Sequence, residues 1–230
     1  MIGDDIANEL AGNKIKLIFN KAEEIAELHG CLTSPRGENF KLRLLQALEV
    51  PLKEKEIERL RIESGINEYH RHLNRLVKNR LVRVLGTDGK EEYRRTELGE
   101  RAINALRGFE RKVGSEAAET VYSAALGPNS IRFFLRIYGD KKEADLDNFQ
   151  IKYTAAEIGR LSLFLPRTIE GISAIDKLNE ADLLAYWDDN FIHMQTTKAV
   201  SYYLYLQELY AIIETHAASQ PIDLGIVRKV

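Results

Sequence analysis

Apolar and polar residues alternate along this chain with two periods, and the switches between them predict most of its elements. Ile6, Leu10, Ile15, Ile18, Ala22, Ile25 and Leu28 recur at helical spacing, so residues 5–28 read as one long helix or two short ones. The stretch GCLTSPRGEN, from Gly30 to Asn39, has the Pro and Gly content of a loop. A helix over 40–49 turns Leu44, Leu45 and Leu48 inward and ends before Pro51, and a second over 54–61 buries Ile57 and Leu60.

The segment 64–96 is the most patterned. A helix over 64–79 places Tyr69, Leu73, Leu76 and Val77 on one arc of about 100°. Asn67, Arg71, Asn74 and Lys78 fall on the opposite side, with His70 and Arg75 flanking them. Arginine, lysine and asparagine on one exposed face are the side chains that read guanine and adenine edges in a major groove. Residues 81–85 alternate as a strand with Arg83 outward, and 92–95 read as the returning strand. Between them the GTDGK turn carries Asp-Gly, a hairpin signal. Lys90, Arg94 and Arg95 make this wing, residues 86–91 and their flanks, mildly basic against Asp88, Glu91 and Glu92. Thr96 then caps a helix burying Leu98, Ala102, Ile103 and Leu106.

The second half repeats this order at an offset of about 102 residues. RLVKNRLVRVL at 75–85 lies over KLNEADLLAYW at 177–187, so that Leu76 matches Leu178, Leu81 matches Leu183 and Leu85 matches Trp187. Ile158 and Leu161 match Ile57 and Leu60 at an offset of 101. Helices over 130–138 and 167–178 and strands over 149–153 and 191–194 complete the second copy. Thr196 and Thr197 then open a last helix, to about Ala217, rich in tyrosine. Its Tyr202, Tyr203, Leu206, Leu209, Tyr210 and Ile213 cover more than one stripe. They either pack on their own domain or form a dimer interface, in the latter case with the N-terminal helix. The expected fold is therefore mainly α with small β-hairpins (α+β). It holds an N-terminal helical segment over 1–35, a first helix-and-hairpin domain over 36–114 and a second over 115–230.

Charge separates the copies. Residues 36–112 carry 19 basic and 13 acidic side chains, a net of +6, whereas 1–35 and 113–230 net −3 and −5. A basic middle between acidic flanks is the asymmetry expected when one module meets a polyanion. The second copy's third helix sets Arg167 and Lys177 against Glu170 and Asp176, and its turn is acidic, which suits a protein or small-molecule partner better than DNA.

Other chemistry is sparse. No apolar run is long enough to span a bilayer, the start MIGDDIANEL has no leader pattern, and the single cysteine, Cys31, fits a reducing cytoplasm. No Gly-rich phosphate loop, HExxH or serine elbow occurs. His70 and His72 diverge on their helix, His29 and Cys31 are too few for a metal site, and His193 and His216 stand alone. No enzyme, cofactor or metal is expected.

HLNRLVKNRLVRV, a turn and YRRTELGERAINAL together resemble the winged helix-turn-helix transcriptional regulators of the ArsR/MarR type. The likeness covers about residues 40–112. It implies sequence-specific duplex binding as a homodimer, with the third helix in the major groove and the wing over the backbone. By position, Asn67, His70, Arg71, Asn74 and Arg75 would read the groove, and Arg83, Lys90 and Arg94 would meet phosphates. Metal sensing, which needs cysteine clusters, is not implied. Two other expectations fit tandem winged helices: a scaffold that binds other proteins, as in chromosome segregation, and a replication initiator of plasmid or virus type.

Overall fold

The computed structural model describes residues 13–33, 40–65, 69–86, 91–139, 150–154, 169–183, 185–188 and 191–218. Helix α1 (13–20) and helix α2 (Ala22–Leu32) meet at a turn on Lys21, and Ile18, Ala22, Ile25 and Leu28 all face inward. The helix runs past the predicted stop at Gly30 and ends at Leu32. Helix α3 (Phe40–Ala47) buries Phe40, Leu44 and Leu45. Pro51 keeps Val50 out of the helical region, and β1 (Leu52–Lys53) follows. Two residues carry no readable period, so the sequence pattern did not predict this strand.

Helix α4 (Glu54–Glu63) opens with the Lys53 backbone N–H donating to Glu56 Oε2 at 2.7 Å, which satisfies one of the open donors of the first turn. Helix α5 (Tyr69–Lys78) buries Tyr69, Leu73 and Leu76. It is closed by Arg80 at φ 53°, where the Leu81 N–H reaches back to the Leu76 carbonyl at 3.0 Å and the Arg80 N–H to that of Val77 at 2.8 Å.

Strands β2 (Val82–Leu85) and β3 (Glu92–Arg95) pair antiparallel, with β1 on the other side of β3. Helix α6 (Glu97–Val113) starts at Thr96, whose Oγ1 accepts from the Gly99 N–H and donates to the Arg80 carbonyl at 2.6 Å. A Cβ at Gly99 would sit 2.4 Å from the Leu81 carbonyl, so only glycine allows this join.

Helix α7 (Ser115–Ser123), which the sequence reading did not include, leads into α8 (Pro128–Gly139). Strand β4 (Gln150–Thr154), helix α9 (Ile169–Glu180) and strands β5 (Ala185–Asp188) and β6 (Phe191–Gln195) follow. Their strand order, β4-β6-β5, mirrors β1-β3-β2. Helix α9 also ends as α5 does: Asp182 has φ 52°, and Leu183 N–H reaches the Leu178 carbonyl at 2.9 Å. The sequence offset of 102 thus recurs as the same turn. The helix expected around Ile158 and Leu161 lies outside the described residues.

Helix α10 (Thr196–Ala218) runs along α6 and against α2. Tyr202, Tyr203, Leu206 and Leu209 are buried within this one chain, in a single hydrophobic cluster reaching from Ile18 to Ile212, and Tyr210 and Ile213 pack against it. The face considered for a dimer is therefore already covered by α2, α6 and α8. An apolar surface on nearly all sides of a helix signals burial, whichever chain supplies the cover. Among the described residues, no helix is long and apolar enough to cross a membrane.

Candidate nucleic-acid interface

Helix α5 presents its polar stripe as its period requires. His70, Arg71, Asn74 and Lys78 are exposed, whereas Tyr69, Leu73 and Leu76 anchor the helix on α3 and β2. The His70 ring lies tilted against Tyr69, with centroids 3.8 Å apart, and its Nδ1 lies 3.8 Å from Glu54 Oε1. Tyr69 donates to the same carboxylate at 3.2 Å, so Glu54 braces the start of the helix. Asn67 lies outside the described residues.

Arg75 behaves differently from its neighbours. Its Nη2 donates to the Glu27 carbonyl at 3.3 Å and would lie 3.1 Å from a Cβ on Gly30. Lys41 Nζ donates to the Gly30 carbonyl. Lys41 thus takes up one of the open carbonyls at the negative end of α2, and Arg75 adds a second cation on the turn before it, both favourable to the helix dipole. Burial, with Arg75 nearby, lowers the Lys41 pKa. Arg75 is corrected from a groove reader to a cap on α2. The helical wheel set it beside the polar stripe, but no local pattern could show that α2 lies there.

The far end of α5 faces the same neighbour. Lys78 Nζ is 3.4 Å from Glu27 Oε1, and Asn79 Nδ2 donates to that oxygen at 3.3 Å. Glu27 and Lys41 were missed by the sequence reading. Their contacts span 11 to 52 residues of chain, beyond any periodic signal.

On the hairpin, alternation separates two arginines that are adjacent in sequence. Arg94 is exposed and sits directly opposite Arg83, also exposed. Arg95 points inward and is only 11% exposed. It forms ion pairs with Glu49 at 3.6 Å and with Glu100, and donates to the Leu45 and Gln46 carbonyls at 3.4 Å. Arg95 is therefore corrected from a backbone contact to a bracket between α3 and α6. Arg95→Ala should lower stability by about 1–3 kcal/mol, because it removes the donor to the Leu45 carbonyl and the partner of Glu100. A denaturant titration checks this, and an unshifted midpoint would refute the bracket. Lys90 lies outside the described residues.

No group of three metal-ligating side chains occurs among the described residues. Cys31 is buried beside Asn79 Nδ2 at 3.7 Å, and burial pushes its thiol pKa up, away from reactivity. His29 is turned to a hydroxyl, with Nδ1 3.1 Å from the Tyr205 oxygen.

Of the candidate residues, those left exposed are His70, Arg71, Asn74 and Lys78 on α5 and Arg83 and Arg94 on the hairpin packed beside it, with the mixed charges of Lys53, Glu54, Lys55, Glu56, Glu58 and Arg59 exposed on and next to α4. Helices α7 and α9 carry the opposite sign, with Glu116, Glu119, Asp176 and Glu180 exposed. Compared with known proteins, the chain matches no family model, no curated protein and no solved structure.

Proposed function

We propose that the chain is a cytoplasmic, sequence-specific double-stranded DNA-binding regulator built from two winged helices in tandem. The N-terminal half of α5 enters the major groove and the β2–β3 hairpin lies on the sugar-phosphate backbone. The observation that carries this reading is the Arg83–Arg94 pair. Like charges directly opposed across two strands repel, and here both are left in solvent. A phosphate placed between them would turn that repulsion into two charge-assisted hydrogen bonds. His70, Arg71 and Asn74 supply donors and acceptors suited to base edges.

The shared strand order and the matching left-handed turns at Arg80 and Asp182 support the tandem arrangement. The acidic α7 and α9 repel phosphates, which assigns duplex binding to the first unit and leaves the second for a protein or small-molecule partner. A homodimer on a two-fold site follows from the groove-reading geometry, through a surface other than the buried tyrosines of α10.

Selection on random duplexes, followed by affinity measurement across a salt series, tests the reading. The wild type should recover a two-fold symmetric site. Arg83→Gln with Arg94→Gln should weaken binding roughly 10- to 100-fold on every sequence and reduce the salt slope by about two. Arg71→Ala should instead relax the base preference at one position per half-site. Wild-type protein without salt-dependent duplex binding would sink the regulator and leave the protein-binding scaffold.

A further inference from the structure

We infer that Glu27 is a built-in competitor for DNA phosphate, holding the C-terminal end of the groove-reading helix until a polyanion displaces it. The inference rests on the duplex-binding reading above and adds a control element to it. One carboxylate oxygen of Glu27 faces both Lys78 Nζ, at 3.4 Å, and Asn79 Nδ2, at 3.3 Å. The same residue's carbonyl holds Arg75 at 3.3 Å. The two contacts differ in character. Arg75 is partly buried, and its bond goes to a backbone carbonyl of α2. The Lys78 side chain is 75% exposed and that of Glu27 37%, so this pair can open without unpacking the core.

Lys78 belongs to the exposed stripe of α5, together with Arg71 and Asn74. With Glu27 beside it, part of its charge is offset for an approaching duplex. A phosphate oxygen offers Lys78 the same interaction that the carboxylate gives. Exchange of one for the other therefore keeps the ammonium paired while releasing Glu27 to water. Exposed pairs of this kind are weak, which is what a displaceable contact requires. The arrangement also restrains non-specific attraction, since part of the basic field of α5 is expressed only where a phosphate comes close enough to replace Glu27.

Glu27→Gln is the discriminating variant. The amide keeps the length and an acceptor for Asn79, and it leaves the carbonyl bond to Arg75 untouched. Binding to the selected duplex should tighten roughly three- to tenfold at 50 mM salt, with the salt slope steeper by about one. The gain should vanish when Lys78→Gln is added, because it runs through that ammonium. Unchanged affinity and slope in Glu27→Gln, beside normal wild-type binding, would overturn the inference while the DNA reading stands. So would a gain that survives Lys78→Gln, since it would come from net charge alone. Wild-type protein that binds no duplex removes both.

Discussion

Phe109→Ala will lower the unfolding free energy by about 3–5 kcal/mol and will do so for the whole chain in one transition. Phe109 lies on α6 at 2% exposure. Its ring stacks on Tyr205 at 5.5 Å and meets Tyr202 at 6.0 Å and Tyr122 at 6.3 Å, joining α6 to α7 and α10. Truncation opens a cavity where three helices meet, and none can close it alone because each is fixed by the others. For a chain of this size the loss corresponds to roughly 6–20 °C in Tm. The single tryptophan, Trp187, sits in β5 of the second sheet and gives an independent probe. Circular dichroism and Trp187 fluorescence should shift together. A fluorescence midpoint that stays at its wild-type value would show two units melting separately.

Acid will destabilise the protein through His29, beginning below about pH 6.5. Complete burial, with the nearby Lys41 charge adding to it, pushes the His29 pKa down to about 4. The folded ring therefore stays neutral where the unfolded one, near 6.5, already takes a proton. Between these values the unfolded state binds more protons, so stability falls as pH drops. The contribution is full above pH 6.5 and declines toward pH 4, by roughly 3 kcal/mol over the window. The loss is concentrated where α2 meets α10, at the contact with Tyr205. Denaturant titrations from pH 7.5 to 4.5 should show a slope of about one proton. His29→Gln should flatten that slope while lowering stability at pH 7.5, and an unchanged slope in the variant would remove His29 as the cause.

The stripe on α5, the Thr96 cap and the strands of the first hairpin are all legible in the sequence. Each is written in neighbours three, four or two positions apart, or in a turn whose chemistry is local. The candidate site was legible only in outline. Arg75 and Lys78 lie on adjoining parts of one helix and Arg94 and Arg95 are consecutive, yet each pair divides between solvent and structure. Alternation alone says that Arg94 and Arg95 point to opposite faces. It does not say which face α3 and α6 cover.

The sequence by itself determined most of the elements, though not β1 or α7, and the amphipathic face of α5, because those follow from contacts between residues close along the chain. Tertiary structure alone decided which cations stay exposed, that Arg75 and Lys41 bind the α2 carbonyls, and that Tyr202, Tyr203 and Tyr205 of α10 are internal. Those outcomes depend on partners such as Glu27, Glu100 and Phe109, brought near by packing rather than by spacing. A side chain's charge is set by its chemistry, but what it can bind is set by what already surrounds it.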